Sequence, residues 1–144
     1  MWLMSSVRIL VVDDSDPFRR FIISTLQTIP ELEVICDASD GFEAVQKAEE
    51  LRPDLILLDI GLPGQNGIEA ARQIRRVAPE CKILFVSQES SEDIVQEALA
   101  LGARGYVVKT SAGSDLLAAV EAVISNQQFV GGTLAPFTFS QPSA

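Results

Sequence analysis

Histidine is absent from these 144 residues. That excludes imidazole metal ligands, catalytic triads that rely on histidine, and a histidine-based pH switch. Cysteine is nearly absent too. Cys36 and Cys81 stand far apart beside apolar runs, so both are expected to be buried, inert and reduced, and nothing supports a disulfide between them. Positive charge is scarce: 11 Lys and Arg stand against 20 Asp and Glu, for a net charge of −9. Binding to nucleic-acid phosphates needs clustered Lys and Arg, so direct nucleic-acid contact is not expected. No apolar run approaches the roughly 20 residues of a membrane helix. The first residues, Met1 to Ser6, carry no basic stretch and no long apolar segment, so they do not read as a signal peptide. The expectation is a cytoplasmic protein without a membrane anchor.

What is present suits one globular domain with a real core. Apolar residues make up 47% and charged residues 22%. Short runs rich in Val, Ile and Leu recur at Val7–Val12, Glu33–Ala38, Leu55–Leu58, Ile83–Ser87 and Gly105–Val108. They are mostly continuous rather than alternating, the pattern of strands covered on both faces. Helix-period segments separate them. The first places Phe18, Phe21, Ile22, Leu26 and Ile29 on one stripe, with Pro17 in the first turn. The second runs from about Gly41 to Leu51. The third starts near Gly67 and ends before Pro79. The fourth carries Ile94, Val95, Ala98 and Leu99, with Gly102 as a left-handed cap. The fifth carries Leu116, Val120 and Val123. Five βα units predict an α/β fold, an open five-stranded parallel sheet with helices on both faces. An eight-stranded barrel does not fit this length.

Domain bounds follow from composition: an N-terminal extension over 1–6, the folded domain over 7–126, and a tail over 127–144. Glu121 is the last charged residue, and the tail holds Gly, Pro, Phe129, Phe137 and Phe139. A loosely packed tail is expected, ahead of the alternative that these Phe side chains dock on the domain or a partner.

In open parallel sheets, ligands bind beyond the carboxyl ends of the strands, where strand order reverses. Those ends carry Asp13-Asp14, Asp59, Ser87 and Lys109. Each has an ordinary reading. The acidic pair could be turn or N-cap residues, Ser87 a helix cap, Lys109 a solvated charge. Together they place three carboxylates, a hydroxyl and an ammonium on one edge. Lys109 cannot balance three neighbouring carboxylates, whereas a divalent ion can, and oxygen-only ligands suit Mg²⁺. Asp59 could then attack phosphorus to form an aspartyl phosphate, with Lys109 and the metal neutralising the phosphoryl oxygens.

The ordered set resembles the receiver domains of two-component response regulators, most closely the NarL/FixJ type. The resemblance is carried by Ile9-Leu10-Val11-Val12-Asp13-Asp14, Leu55-Ile56-Leu57-Leu58-Asp59 with Pro63 and Gly67 following, Ser87, and Gly102 to Lys109. It covers residues 7–126. It implies a flavodoxin-like doubly wound sheet in strand order 2-1-3-4-5. It implies Asp59 as the phosphoacceptor, Asp14 as direct metal ligand with Asp13 acting through water, and the main-chain carbonyl of Gly61 as a third protein ligand. Lys109 matches the phosphate-contacting lysine; Ser87 and Tyr106 match a switch pair. The implied donor is a histidine kinase or phosphotransfer protein, and the implied output a downstream protein effector, with a phosphorylation-dependent homodimer as a further expectation. The implied activity is a signalling switch, confined to self-phosphorylation and autodephosphorylation, and not that of an ordinary enzyme. The helix-turn-helix usual in this type has no counterpart in the 144 residues.

Three departures stand out. Ser87 replaces the commoner Thr, Gln88 stands where a small residue is usual, and Thr110 follows Lys109 in place of Pro. Two competing readings are a receiver-shaped adaptor that acts without phosphorylation, and an aspartyl-phosphate hydrolase. The intact acidic pair, Asp59 and Lys109 weigh against the first. Gly61 stands where a hydrolase would have a second aspartate, which weighs against the other.

Overall fold

A computed structural model describes residues 6–131. The expected strands appear within one residue of their predicted ends: β1 (Val7–Val12), β2 (Leu32–Ala38), β3 (Leu55–Leu58), β4 (Lys82–Ser87) and β5 (Gly105–Val108). They alternate with α1 (Asp16–Leu26), α2 (Gly41–Leu51), α3 (Gly67–Val77), α4 (Glu92–Ala100) and α5 (Ala112–Ile124). A single 3₁₀ turn at Lys109–Ser111 leads into α5.

The helix starts are set by side-chain caps that satisfy otherwise orphaned amides. Ser15, Asp40, Asn66 and Ser91 accept from the amides of Phe18, Glu43, Glu69 and Ile94. Ser91, not Ser87, therefore caps α4, and Ser15, not the acidic pair, caps α1. Neither the acidic pair nor Ser87 therefore serves as a helix cap. Gly102 closes α4 with φ 114, a conformation that favours glycine.

The sheet differs from expectation in one respect. It has six strands, not five, in the order β2-β1-β3-β4-β5-β6, all parallel. The sixth, β6 (Phe129–Val130), lies past the expected end of the domain at residue 126 and pairs with Gly105 and Tyr106. Its amides are used: Phe129 N–H donates to the Arg104 carbonyl and Gly131 N–H to that of Tyr106. Phe129 thus docks on the domain rather than trailing from it. Two residues are too few to show any hydrophobic period, so composition alone hid them. Phe137 and Phe139, and the extension before Ser6, lie outside the described residues.

Side chains alternate between two cores. Leu10, Val12, Ile56, Leu58, Ile83, Phe85, Tyr106 and Val108 face α2, α3 and α4. Ile9, Val11, Leu55, Leu57, Leu84, Val86 and Val107 face α1 and α5. Burial on both faces explains the continuous apolar runs. Phe21 departs from the predicted stripe: it is exposed, and only Ile22 and Leu26 of α1 are fully buried.

Cys36 and Cys81 are both free thiols, half-buried and buried respectively. Burial pushes the Cys81 thiol up to about 11. Its folded-state pKa lies above the unfolded value, so the fold favours the protonated thiol until strongly alkaline pH. A disulfide-exchange reagent at mildly alkaline pH should therefore modify at most one thiol, Cys36, in the native protein and two after denaturation. Two rapid modifications in the native state would contradict this burial.

Candidate functional site

The order reversal lies at β1, which pairs with β2 on one side and β3 on the other. Asp13-Asp14 follow β1 and Asp59 follows β3, so both emerge at the crevice where ligands bind in open α/β sheets. Ser87 ends β4, and Lys109 follows β5. The five residues predicted for this edge do converge. Asp14, Ser15, Asp59, Gly61, Ser87, Gln88, Glu89 and Lys109 line a cleft of about 270 Å³.

Lys109 sits between two carboxylates, with Nζ 2.9 Å from Asp13 Oδ2 and 3.0 Å from Asp59 Oδ2. The Lys109 side chain is 12% exposed, and those of Asp13 and Asp59 1% and 7%, so all three interact with little solvent screening. Burial pulls the Lys109 ammonium toward deprotonation, yet Asp13 and Asp59 outweigh it and raise its pKa above the usual lysine value. Burial is also the dominant influence on Asp13. It raises that carboxyl above the ordinary range despite the opposing pull of Lys109 and the Ser15 amide. The ammonium also lies 4.6 Å from the centre of the Phe18 ring, a cation–π contact. The helical stripe marks Phe18 only as a core residue of α1.

The acidic residues are held differently. Asp13 Oδ1 accepts from Ser15 N–H at 2.8 Å. Its Oδ2 is buried and has only the Lys109 ion pair, which lies off directed hydrogen-bond geometry. Asp59 Oδ1 accepts from the amides of Ile60, at 2.7 Å, and Gly61, at 3.4 Å. Asp14 is exposed at the cleft. One oxygen from each of Asp13, Asp14 and Asp59 lies within 4.8 Å of the others. An incompletely satisfied buried oxygen, three converging hard ligands and one balancing ammonium fit a divalent cation such as Mg²⁺.

A second cluster runs from Ser87 toward the α4–β5 side. The buried Ser87 Oγ accepts from Glu89 N–H at 3.2 Å. The Glu89 carbonyl in turn accepts from Tyr106 OH at 2.8 Å. The Tyr106 ring is fully buried and lies 6.0 Å from that of Phe85. Burial raises its hydroxyl pKa well beyond the usual tyrosine range, against the opposing Ser87 hydroxyl. The sequence pairs Ser87 with Tyr106 but does not display the main chain of Glu89 that joins them. A main-chain link carries no residue signature.

The chain is similar to known proteins over most of its length. The profile of the response regulator receiver domain matches residues 9–121. The chain is 37% identical over 130 residues to the transcriptional regulatory protein LnrK of Bacillus subtilis, covering 90% of this chain and 57% of that protein. It is 34% identical over 129 residues to the response regulator GacA of Pseudomonas viridiflava, covering 90% of this chain and 60% of that one. The chain therefore spans less than two thirds of these relatives. Among solved structures, a LuxR-family two-component response regulator from Aurantimonas sp. superimposes with a TM-score of 0.87 at 32% identity, over 92% of this chain and 94% of that one. The receiver domain of NarL from Mycobacterium tuberculosis gives a TM-score of 0.81 at 29% identity, over 86% of this chain and all of the other. An acidic crevice at the β1/β3 switch point, a lysine bridging it and these matches together make the chain a member of the response regulator receiver domain family of two-component signalling.

Proposed function

We propose that Asp59 accepts a phosphoryl group from a histidine kinase or phosphotransfer protein in the presence of Mg²⁺, and that Ser87 and Tyr106 transmit its arrival to the α4–β5–α5 side. The observation that carries this reading is the bridging of Asp13 and Asp59 by Lys109 at the floor of an open cleft. Asp59 presents a carboxylate held by main-chain amides on one oxygen, while Lys109 faces the other. A carboxylate oxygen of Asp59 forms the new P–O bond as the P–N bond to the donor histidine breaks, and the electron pair of that bond leaves with the imidazole. Lys109 remains charged throughout and neutralises a phosphoryl oxygen.

Asp14, Asp59 and the main-chain carbonyl of Gly61 would hold Mg²⁺ directly, with Asp13 acting through water. The bound metal supplies positive charge to the transferring phosphoryl oxygens. Ser87 Oγ already accepts from Glu89 N–H, so its own proton is free to donate to a phosphoryl oxygen. Drawing Ser87 inward pulls the 87–89 segment and, through the Glu89 carbonyl, Tyr106. A local charge change thereby reaches a packed aromatic ring. A downstream protein, or a second copy of the chain, would read the resulting face. No helix among the described residues is long and apolar enough to cross a membrane.

Incubation with Mg²⁺ and a small acyl or amido phosphate should add one base-labile phosphoryl group, and Asp59→Asn should abolish it. Intact-mass measurement reads the result directly. Labelling that survives Asp59→Asn would refute the assignment, and a wild-type chain that is never labelled by small donors or by any kinase would favour a phosphorylation-independent adaptor.

A further inference from the structure

Arg19 lies on the first turns of α1 and belongs to no motif of the sequence. Its side chain is only 17% exposed and binds three residues at once. Nε donates to Asp37 Oδ2 at 3.0 Å, and Nη1 donates to the Asp13 main-chain carbonyl at 2.6 Å. Nη2 pairs with Asp16. The same Asp13 is tied by its amide to the Ala38 carbonyl at 3.1 Å and by Oδ1 to the Ser15 amide. The Asp13–Asp14 peptide, from which both acidic side chains project, is thus fixed at the ends of β1 and β2 and the start of α1.

We propose that Arg19 is a positioning residue for the divalent-cation site, acting through the Asp13 carbonyl rather than on the cation itself. This inference rests on the metal reading proposed above. The planar fork of a guanidinium can bridge the Asp13 carbonyl and Asp37 together, a geometry one ammonium cannot reproduce. Partners that orient metal ligands from behind typically influence affinity by about 10–100-fold. Electrostatics alone predicts the opposite sign. Deleting a positive charge beside a cation site should tighten cation binding. The direction of the change therefore separates positioning from simple charge.

The test is isothermal titration of the full chain with Mg²⁺, comparing wild type, Arg19→Ala and Arg19→Lys. Arg19→Ala should weaken Mg²⁺ binding about tenfold. Arg19→Lys should weaken it less, while keeping the charge and the fold. The Mg²⁺ concentration for half-maximal labelling by a small phosphodonor should rise in parallel, with the rate at saturating Mg²⁺ close to wild type. A purely structural role would instead lower the unfolding midpoint in metal-free buffer and leave the Mg²⁺ affinity of the folded protein alone. Unchanged or tighter binding in both variants would overturn the inference while leaving the metal site intact. A wild-type chain that binds no Mg²⁺ would overturn the metal reading itself, and this inference with it.

Discussion

Gly67→Ala is expected to destabilise the protein by about 3 kcal/mol or more, the upper end of what overpacking produces. A Cβ at this position would sit 1.9 Å from the Asp59 carbonyl oxygen and 2.7 Å from Ile60 Cα. Both are main-chain atoms, so no side chain can swing aside. The Gly67 amide also donates to the Ile60 carbonyl at 2.8 Å, so the start of α3 is clamped onto the segment that carries Asp59. Relief of the clash must either lift α3 off its core contacts or displace Asp59. The urea midpoint should fall sharply, and the melting temperature by about 10 °C or more. Gly113→Ala supplies the contrast. It lies in α5, nothing is within 4 Å of the place its new methyl group would take, and the gain in helix propensity should stabilise by about 0.5–1 kcal/mol. Equal midpoints for the two variants would show that the close approach at Gly67 is not real.

Lys109→Met should have the next largest effect, and one that depends on pH. Methionine keeps the apolar stem but removes the ammonium from between two buried carboxylates. Breaking a buried ion pair from one side costs about 3–5 kcal/mol, and the open cleft places this case near the lower bound. The Asp13 carboxyl already has its pKa raised by burial, with Lys109 opposing the shift; losing Lys109 raises it further. A group whose folded pKa exceeds its unfolded value stabilises the fold when protonated, and that contribution is lost as pH rises through the folded value. The deficit of Lys109→Met should therefore be full at neutral pH and shrink as acid protonates Asp13. Adding Asp13→Asn should recover much of it, the signature of two coupled groups. Mg²⁺ at one hundred times its dissociation constant should raise the stability of any of these proteins that binds it by about 2.7 kcal/mol. Urea titrations of the single and double variants at neutral and mildly acidic pH measure all of this. A deficit that ignores pH would mean that Lys109 acts through packing alone.

Much of this is legible in the residues alone. Val7–Val12 and Leu55–Leu58 announce buried strands because both of their faces are covered. Asp13, Asp59, Ser87 and Lys109 stand out because strand ends in a parallel sheet share one edge, so position along the chain predicts proximity. Other features are not legible, for definable reasons. Phe21 fits the helical period of α1 but lies at the margin of its buried stripe. Arg19 stands beside Arg20 on a helix and belongs to none of the motifs; its role depends on a main-chain carbonyl that no sequence displays. The Glu89 link between Ser87 and Tyr106 is hidden for the same reason. The approach of Gly67 to Asp59 depends on how α3 crosses the end of β3, which local preferences do not specify.

The short strand at Phe129–Val130 has a consequence for recognition. Beside it the main-chain carbonyls of Arg104 and Tyr106 accept from the amides of Phe129 and Gly131, on a flank that would otherwise be a bare template for an incoming extended peptide. A visitor cannot zip onto that flank by backbone pairing unless these residues are first peeled away. A molecule that approached this flank would have to be told apart by side-chain shape and charge, not by a generic ladder.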